Sequence, residues 1–381
     1  NLNVGTYYSN YEEVRAALSG CYNGMQGAMS SEWQFTELRS DNAKQGAPGS
    51  TASTNRDLSD LDMFIPSTSH LAILNYWLAN YANIRNTNTI LQKLGVVYNP
   101  ATGQHTFNDI GIPISETDRK QLAGEAMFIR AYHYFNLVRL YGGVFLVYEP
   151  ISPVQAKQMN RATEADIYKL IEADFSTAAN SLVNRTYLQI PGTELGRATR
   201  WAAKGLLAKV YLTLNRKAEA ITLLQDVRTN SGHSLLTSNY ANVFSTSNEL
   251  NAEILFAVRY KAGGLGLGAH FGNSFAPIGS GSAIINGDGD GLNYPTNELD
   301  TLTNGDLRKP TLIGVYGTGT AAKFYVKKFL SPVVLPDDGE SDWPVLRFAD
   351  ILLMLAEAEG YSQNSIDRIN DYGNRLDSVT G

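Results

Sequence analysis

One cysteine in 381 residues excludes an intramolecular disulfide and any cysteine-based metal site. No run of 18 apolar residues occurs, so the chain carries no candidate membrane-spanning helix. No Lys/Arg-rich stripe occurs either; with a net charge of −6 and a pI near 5.5, a nucleic-acid backbone is excluded as partner. No serine is flanked by glycines in the spacing of a nucleophile elbow, and none of the five histidines opens a zinc-binding HExxH. The chain begins at Asn1 without Met, basic leader or apolar leader segment, and reads as a trimmed soluble body.

What is present is ordinary globular composition, 43% hydrophobic and 18% charged, with tyrosine abundant at 21 residues. Helical periodicity dominates the first half. Val14, Leu18, Cys21 and Met25 share one helix face, which makes Cys21 a core thiol. In "LAILNYWLANYANIRNTNTILQKLG" the stripe Leu74, Trp77, Leu78, Tyr81, Ile84, Asn88 and Leu91 predicts a helix stopping at Gly95. Residues Ser40 to Ser69, rich in Asn, Asp, Ser, Gly and Pro, read as a long polar loop.

Ser115, with Asp118 three residues on, caps a helix running to Tyr141 before Gly142-Gly143. Its apolar arc is so wide that other helices must cover it on two or more sides. Thr163 caps the next helix. In "RWAAKGLLAKVYLTLNRKAEAITLLQDVRTNSG", Leu207, Ala208, Tyr211, Ala220, Leu224 and Val227 sit at the spacings of a tetratricopeptide helix pair, with Lys204 where that repeat prefers Trp. His133 lies on a helix stripe and reads as a satisfied core residue.

From Glu253 the character changes. "EILFAVRY" alternates like a strand, and Lys261 to Asn297 is a glycine-rich loop far longer than a connection needs. "DLRKPTLIGVY" and "AAKFYVKKFL" read as short strands, and "VLRFADILLMLAEAEGY" restores a helix. These elements predict a mostly α fold: an α-solenoid of tetratricopeptide-like repeats with long irregular loops and a few short strands. The chain is read as one domain, a helical body over 1–260 and 344–381 with a loop-rich insert over about 261–343.

The glycines of "GGLGLGAHFG" precede no helix pattern, so they do not make a nucleotide loop. Asn286, Asp288 and Asp290 match positions one, three and five of a calcium loop, but Asn297 and Pro295 break its end; a solvated turn series is the preferred account and calcium the minor one. No other cofactor is indicated. The candidate ligand contacts are loop aromatics with amide and charged neighbours, a combination suited to sugars, whose C–H faces stack on rings. They are Arg39, Asp41, Asn42 and Phe64 early in the chain, and Phe271, Asn273, Phe275 and Tyr294 in the glycine-rich loop. For each aromatic the competing account is that it plugs its loop onto the body.

"GEAMFIRAYHYFNLVRLYGGVFLV", "RATRWAAKGLLAKVYLTL", "DLRKPTLIG" and "VLRFADILLMLAEAEG", in that order, resemble the SusD/RagB family of Bacteroidetes outer-membrane nutrient-binding proteins. "YEEVRAALSGCYNGM" and "YWLANYANIRNTNTIL" are similar to the family's first helices. The resemblance implies a non-catalytic, lipid-anchored protein on the cell surface, its anchor preceding Asn1. It implies partnership with a SusC-like TonB-dependent transporter and a glycan ligand, a peptide in some members. It places ligand contacts in Arg39 to Phe64 and Gly263 to Tyr294. The family usually continues past the last helix here into a further pair, so a shortened C-terminus is expected. A secreted glycoside-active enzyme and a protein-binding helical scaffold are the alternatives.

Overall fold

A computed structural model describes residues 8–46 and 53–374, excepting the side chains of 53–55 and 371–374. The body is a row of antiparallel helices: α1 (Tyr11–Thr36), α3 (Leu71–Lys93), α4 (Glu116–Tyr141), α6 (Glu164–Ser181), α7 (Arg200–Thr213), α8 (Lys217–Asn230), α12 (Phe348–Glu359) and α13 (Gln363–Asn374). Each packs on the next in that order, and α1 also reaches α4. This is the stacked helix-pair geometry of a tetratricopeptide-like solenoid. Shorter helices fill the connections: α2 (Ser53–Asp62), α5 (Pro153–Gln158), α9 (Phe271–Phe275), α10 (Asn297–Leu302) and α11 (Lys309–Leu312).

The expected caps form. Ser115 Oγ accepts from the Asp118 amide at 3.1 Å and Thr163 Oγ1 from the Asp166 amide at 3.2 Å. Gly142, at φ +66°, ends α4 in a conformation that glycine adopts without strain. From Leu122 to Val138 every residue of α4 is buried, because α1, α3, α6 and α7 all press on it. Lys204, in the position where the repeat prefers Trp, bridges α7 to Asp226 of α8.

Two expectations on the early segment are corrected. Residues 40–69 are not one loop: α2 forms there, held by Leu58 and Leu61, which are buried one turn apart. On α3, Leu74 and Leu78 are half exposed, while the inward line is Tyr76, Asn80, Asn83 and Thr87. That face is polar because it serves His133 of α4, whose Nδ1–H donates to Asn80 Oδ1 at 2.8 Å. The Asn83 amide donates to His133 Nε2 at 2.8 Å and to Cys21 O at 2.9 Å. Of the expected stripe, Ile84, Asn88 and Leu91 are buried as read; buried polar groups must be paired, so the inward face also takes in Asn80, Asn83 and Thr87, which an apolar stripe does not select.

The imidazole is thereby fixed as neutral, and burial pushes its pKa from 6.5 down to about 3. The unfolded chain takes up a proton below its ordinary pKa and the folded one does not. The stabilisation is complete above pH 6.5 and is lost as pH falls toward 3, about 2 kcal/mol of it by pH 5. Denaturant titrations at pH 7 and pH 5 should therefore show a larger stability loss in the native chain than in His133→Gln. Equal losses would show that His133 is not the refused proton site.

The strands occur as two-stranded pieces. β1 (Ala43–Lys44) pairs with β5 (Tyr294–Pro295), β2 (Val96–Asn99) with β3 (Gln104–Phe107), β4 (Ile254–Val258) with β8 (Trp343–Arg347), and β6 (Ile313–Tyr316) with β7 (Lys323–Val326), all antiparallel. The β4–β8 pair joins the chain entering the insert to the chain leaving it. "EILFAVRY" alternates in sequence, yet all of β4 is buried, since α7 and α1 lie against it.

Candidate functional site

The two loop regions separated by more than 200 residues meet. Ala43 pairs with Pro295 and Lys44 with Tyr294. The Gly46 amide donates to Gly291 O at 2.9 Å, and the Thr296 amide to Asn42 O at 3.0 Å. A Cβ on Gly46 would lie 2.3 Å from Gly291 O and 2.6 Å from the Tyr294 ring, so only glycine fits that approach. Asp41 joins through its carbonyl, which accepts from Thr296 Oγ1 at 3.2 Å.

The glycine-rich stretch is itself pinned. Asp338 accepts from the Gly263 and Gly264 amides at 2.7 and 2.8 Å, Glu340 from the Ala262 amide at 2.9 Å, and Asp342 from the Tyr260 amide at 2.9 Å. Tyr316 and Lys323 of the β6–β7 hairpin donate to Gly279 O and Ile278 O at 2.9 and 2.8 Å.

In the glycine-rich loop the structure turns all four expected contacts inward. Phe271 and Phe275 of α9 are buried in the main core, Phe271 edge-on to Tyr260 at 5.3 Å and Phe275 edge-on to Trp33 of α1 at 5.1 Å. Asn273 is buried too: its amide donates to Asn286 O and Asp288 O, and its Oδ1 accepts from the Asp337 amide at 2.9 Å. Tyr294 is buried, its hydroxyl accepting from the Ile278 amide at 3.0 Å. These four side chains hold the loop onto the body, which is what burying large apolar surface achieves in a segment with so much glycine.

The residues of the calcium-loop comparison are likewise engaged internally. Asp288 Oδ1 accepts from the Gly279, Gly281 and Gly289 amides at 3.1, 3.2 and 2.8 Å, which holds its pKa down, and the Asn286 amide donates to Val334 O. Among the described residues, no three His, Cys, Asp or Glu side chains gather as a metal site. On the other loop, Arg39 stacks 5.4 Å over the ring of Phe64, which is 59% exposed.

Beside the β1–β5 junction lies a cleft of about 500 Å³. Asn42 and Phe275 are the expected residues that line it. Its distinctive walls come from elsewhere: Phe244, Lys328, Phe329, Trp343 and Arg347. Phe329 and Trp343 stack at 4.7 Å with planes 16° apart, and Phe244 meets Phe329 edge-on at 6.3 Å. The Lys328 ammonium lies 4.9 Å from the Phe329 centroid and 5.9 Å from that of Phe244; the Arg347 guanidinium lies 5.5 Å over Phe244. Burial lowers the Lys328 pKa, with Glu37 opposing the shift. Glu32, deeper in the cleft, is raised by burial, although Tyr132 and Asn136 donate to it at 2.8 and 3.0 Å. Asp350 pairs with Lys209 at 3.1 Å. Of these walls, Lys328 and Phe329 stand in the "AAKFYVKKFL" stretch just after β7 and Arg347 in "VLRFADILLMLAEAEG"; Phe244 and Trp343 stand in no motif.

The arrangement defines a class: tetratricopeptide-like helical proteins whose loops build a recessed aromatic face against the helix stack, here against α1 and α12. The chain belongs to the SusD/RagB family. A family model described as starch-binding associating with outer membrane matches residues 10–212, and the SusD family model matches residues 268–376. A SusD-like protein of Formosa agariphila is 26% identical over 267 residues, 67% of this chain and 46% of that relative. One of Bacteroides ovatus is 33% identical over 160 residues, 39% and 28% of the two chains. The chain thus spans about half the length, or less, of these two curated relatives. Among solved structures, a laminarin-binding SusD-like protein superposes with a TM-score of 0.77 at 23% identity, covering 96% of this chain and 85% of that one. Surface glycan-binding protein A from Bacteroides uniformis gives 0.79 at 19%, covering 96% and 80%.

Proposed function

We propose that the protein binds a saccharide in the cleft beside the β1–β5 junction, without transforming it, and passes it to a SusC-like TonB-dependent transporter at the outer-membrane surface. One observation carries the binding step: a recess of about 500 Å³, within the usual range for small-molecule sites, with ring faces and charged hydrogen-bond donors on one wall. The names of two fold relatives, one laminarin-binding and one a surface glycan-binding protein, support the same ligand class. Binding without transformation is favoured by the engagement of two of the cleft's carboxylates: Glu32 is tied to Tyr132 and Asn136, and Asp350 to Lys209. The proposal also includes a cell-surface position and a lipid anchor, terms typical of the family.

The test is a glycan array followed by calorimetry on the hits, with Phe244→Ala as the variant. Phe244 is half-buried and its ring faces Lys328 and Arg347, so truncation removes stacking surface and leaves the helical body intact. Affinity should fall about tenfold with an unchanged circular dichroism spectrum, the loss expected for one ring stack. If no glycan binds, saccharide capture is wrong and peptide libraries become the next ligands. If the variant binds as well as the native protein, the ligand sits elsewhere.

A further inference from the structure

Lys328 is a half-buried cation on the cleft wall, its ammonium partly desolvated. Its ammonium has no acceptor at hydrogen-bond distance and no carboxylate within ion-pair distance among the described residues; its neighbours are the two ring faces. Desolvating an ammonium is unfavourable unless a partner offsets it. Cation–π contact returns part of that cost. The other carboxylates on the cleft do not serve: Glu32 and Asp350 have their own partners, and Glu37, exposed at the rim, acts on Lys328 only from beyond contact distance.

Arg347 adds a second cation on the same ring. One of its nitrogens is committed to the buried Glu253, which fixes the guanidinium plane and leaves the remaining donors of the fork without an acceptor among the described residues. Two cations therefore flank Phe244, one unpaired and one half-used, at the wall of a recess large enough for sugar rings.

Resting on saccharide capture as proposed above, we propose that this cleft selects acidic saccharides, seating a carboxylate or sulfate group between Lys328 and Arg347 while a sugar ring lies against Phe244. A neutral sugar can offer the Lys328 ammonium only hydroxyl acceptors, which make weaker bonds than a charged oxygen does. An anionic group gives it a charge-assisted hydrogen bond in a partly desolvated site, where such bonds are strongest.

The experiment is calorimetry on the whole chain with two pairs of probes: oligogalacturonate against its methyl ester, and a sulfated galactan oligosaccharide against its desulfated form. At least one acidic probe should bind about tenfold or more tightly than its neutral counterpart, and the preference should shrink as salt is raised. Which pair shows it tells carboxylate from sulfate. In Lys328→Met the preference should collapse to about twofold or less while the thermal midpoint holds or rises, because a desolvated charge is removed; Lys328→Arg should keep the preference. Neutral probes binding as tightly as acidic ones, or a preference untouched by Lys328→Met, would overturn charge selection while leaving saccharide capture standing. Should neither member of either pair bind, while other neutral glycans do, charge selection alone falls. Binding of no saccharide at all removes both readings. Arg347 is left native in this design, since truncating it strands buried Glu253.

Discussion

Replacing Arg130 by Met is expected to destabilise the protein by about 3–5 kcal/mol, the cost of leaving a buried charge without its partner. Asp174 of α6 is completely buried. Arg130 of α4 donates to both of its oxygens, Nε to Oδ2 and Nη2 to Oδ1, each at 2.8 Å, and His105 of β3 approaches Oδ1 at 2.9 Å. The same guanidinium donates through Nη1 to Asn88 Oδ1 of α3 at 2.8 Å and to Tyr148 O at 2.9 Å. One side chain thus ties three consecutive solenoid helices to the extended chain that leaves α4. Burial raises the Asp174 pKa, but the charge and hydrogen bonds of Arg130, with those of His105, more than reverse it, so the net shift is downward.

In the native protein this carboxylate stabilises the fold at pH values above its ordinary range, and the contribution is lost as pH falls through the depressed folded value. In Arg130→Met burial favours the protonated acid, so the stability gap between the variant and the native protein should narrow as the pH is lowered toward 5. Urea titrations of both proteins at pH 7.5 and pH 5 test this. A second arm, Arg130→Met with Asp174→Leu, should cost less than the single change, since no buried charge remains. A single-variant loss under about 1 kcal/mol would mean that water reaches Asp174 and that the helix stack does not depend on the pair.

How far the sequence was legible follows from the range of the interactions involved. The ends of α4 could be read because Ser115, Asp118 and Gly142 act within one turn of their own backbone. The α7–α8 pair could be read because its small residues recur at fixed spacing. The inward face of α3 could be read only in part: Ile84, Asn88 and Leu91 lie on it, but Asn80 and Asn83 are buried for the sake of His133, about 50 residues away in the chain. Both loops, around Asp41 and Tyr294, stood out by their residues and again through the family resemblance, but that they meet did not, since the β1–β5 register is a contact between distant segments. The cleft walls were least legible of all. Phe244 follows α8, Lys328 and Phe329 follow β7, and Trp343 opens β8, so only tertiary structure brings them together. Composition told that aromatic residues sat in the glycine-rich loop, but not whether they faced water or core.

That distinction sets the last prediction. Phe271→Ala should cost about 3–5 kcal/mol, the usual range for truncating a fully buried phenylalanine. Its ring is surrounded by Tyr260 at 5.3 Å, Trp343 at 4.8 Å, Phe329 at 5.9 Å and Phe275 at 6.0 Å. Trp343 and Phe329 are themselves cleft walls, so Phe271 is the support behind the stacked pair rather than a surface a sugar touches. Two consequences separate support from contact. Phe271→Leu, which keeps most of the volume, should recover most of the stability and leave affinity nearly native. Phe244→Ala should lower affinity with little loss of stability. Urea midpoints and calorimetry on the same preparations decide between them. If Phe271→Leu is stable yet has lost binding, the Phe271 ring itself meets the ligand, which would require the glycine-rich loop to open away from the body.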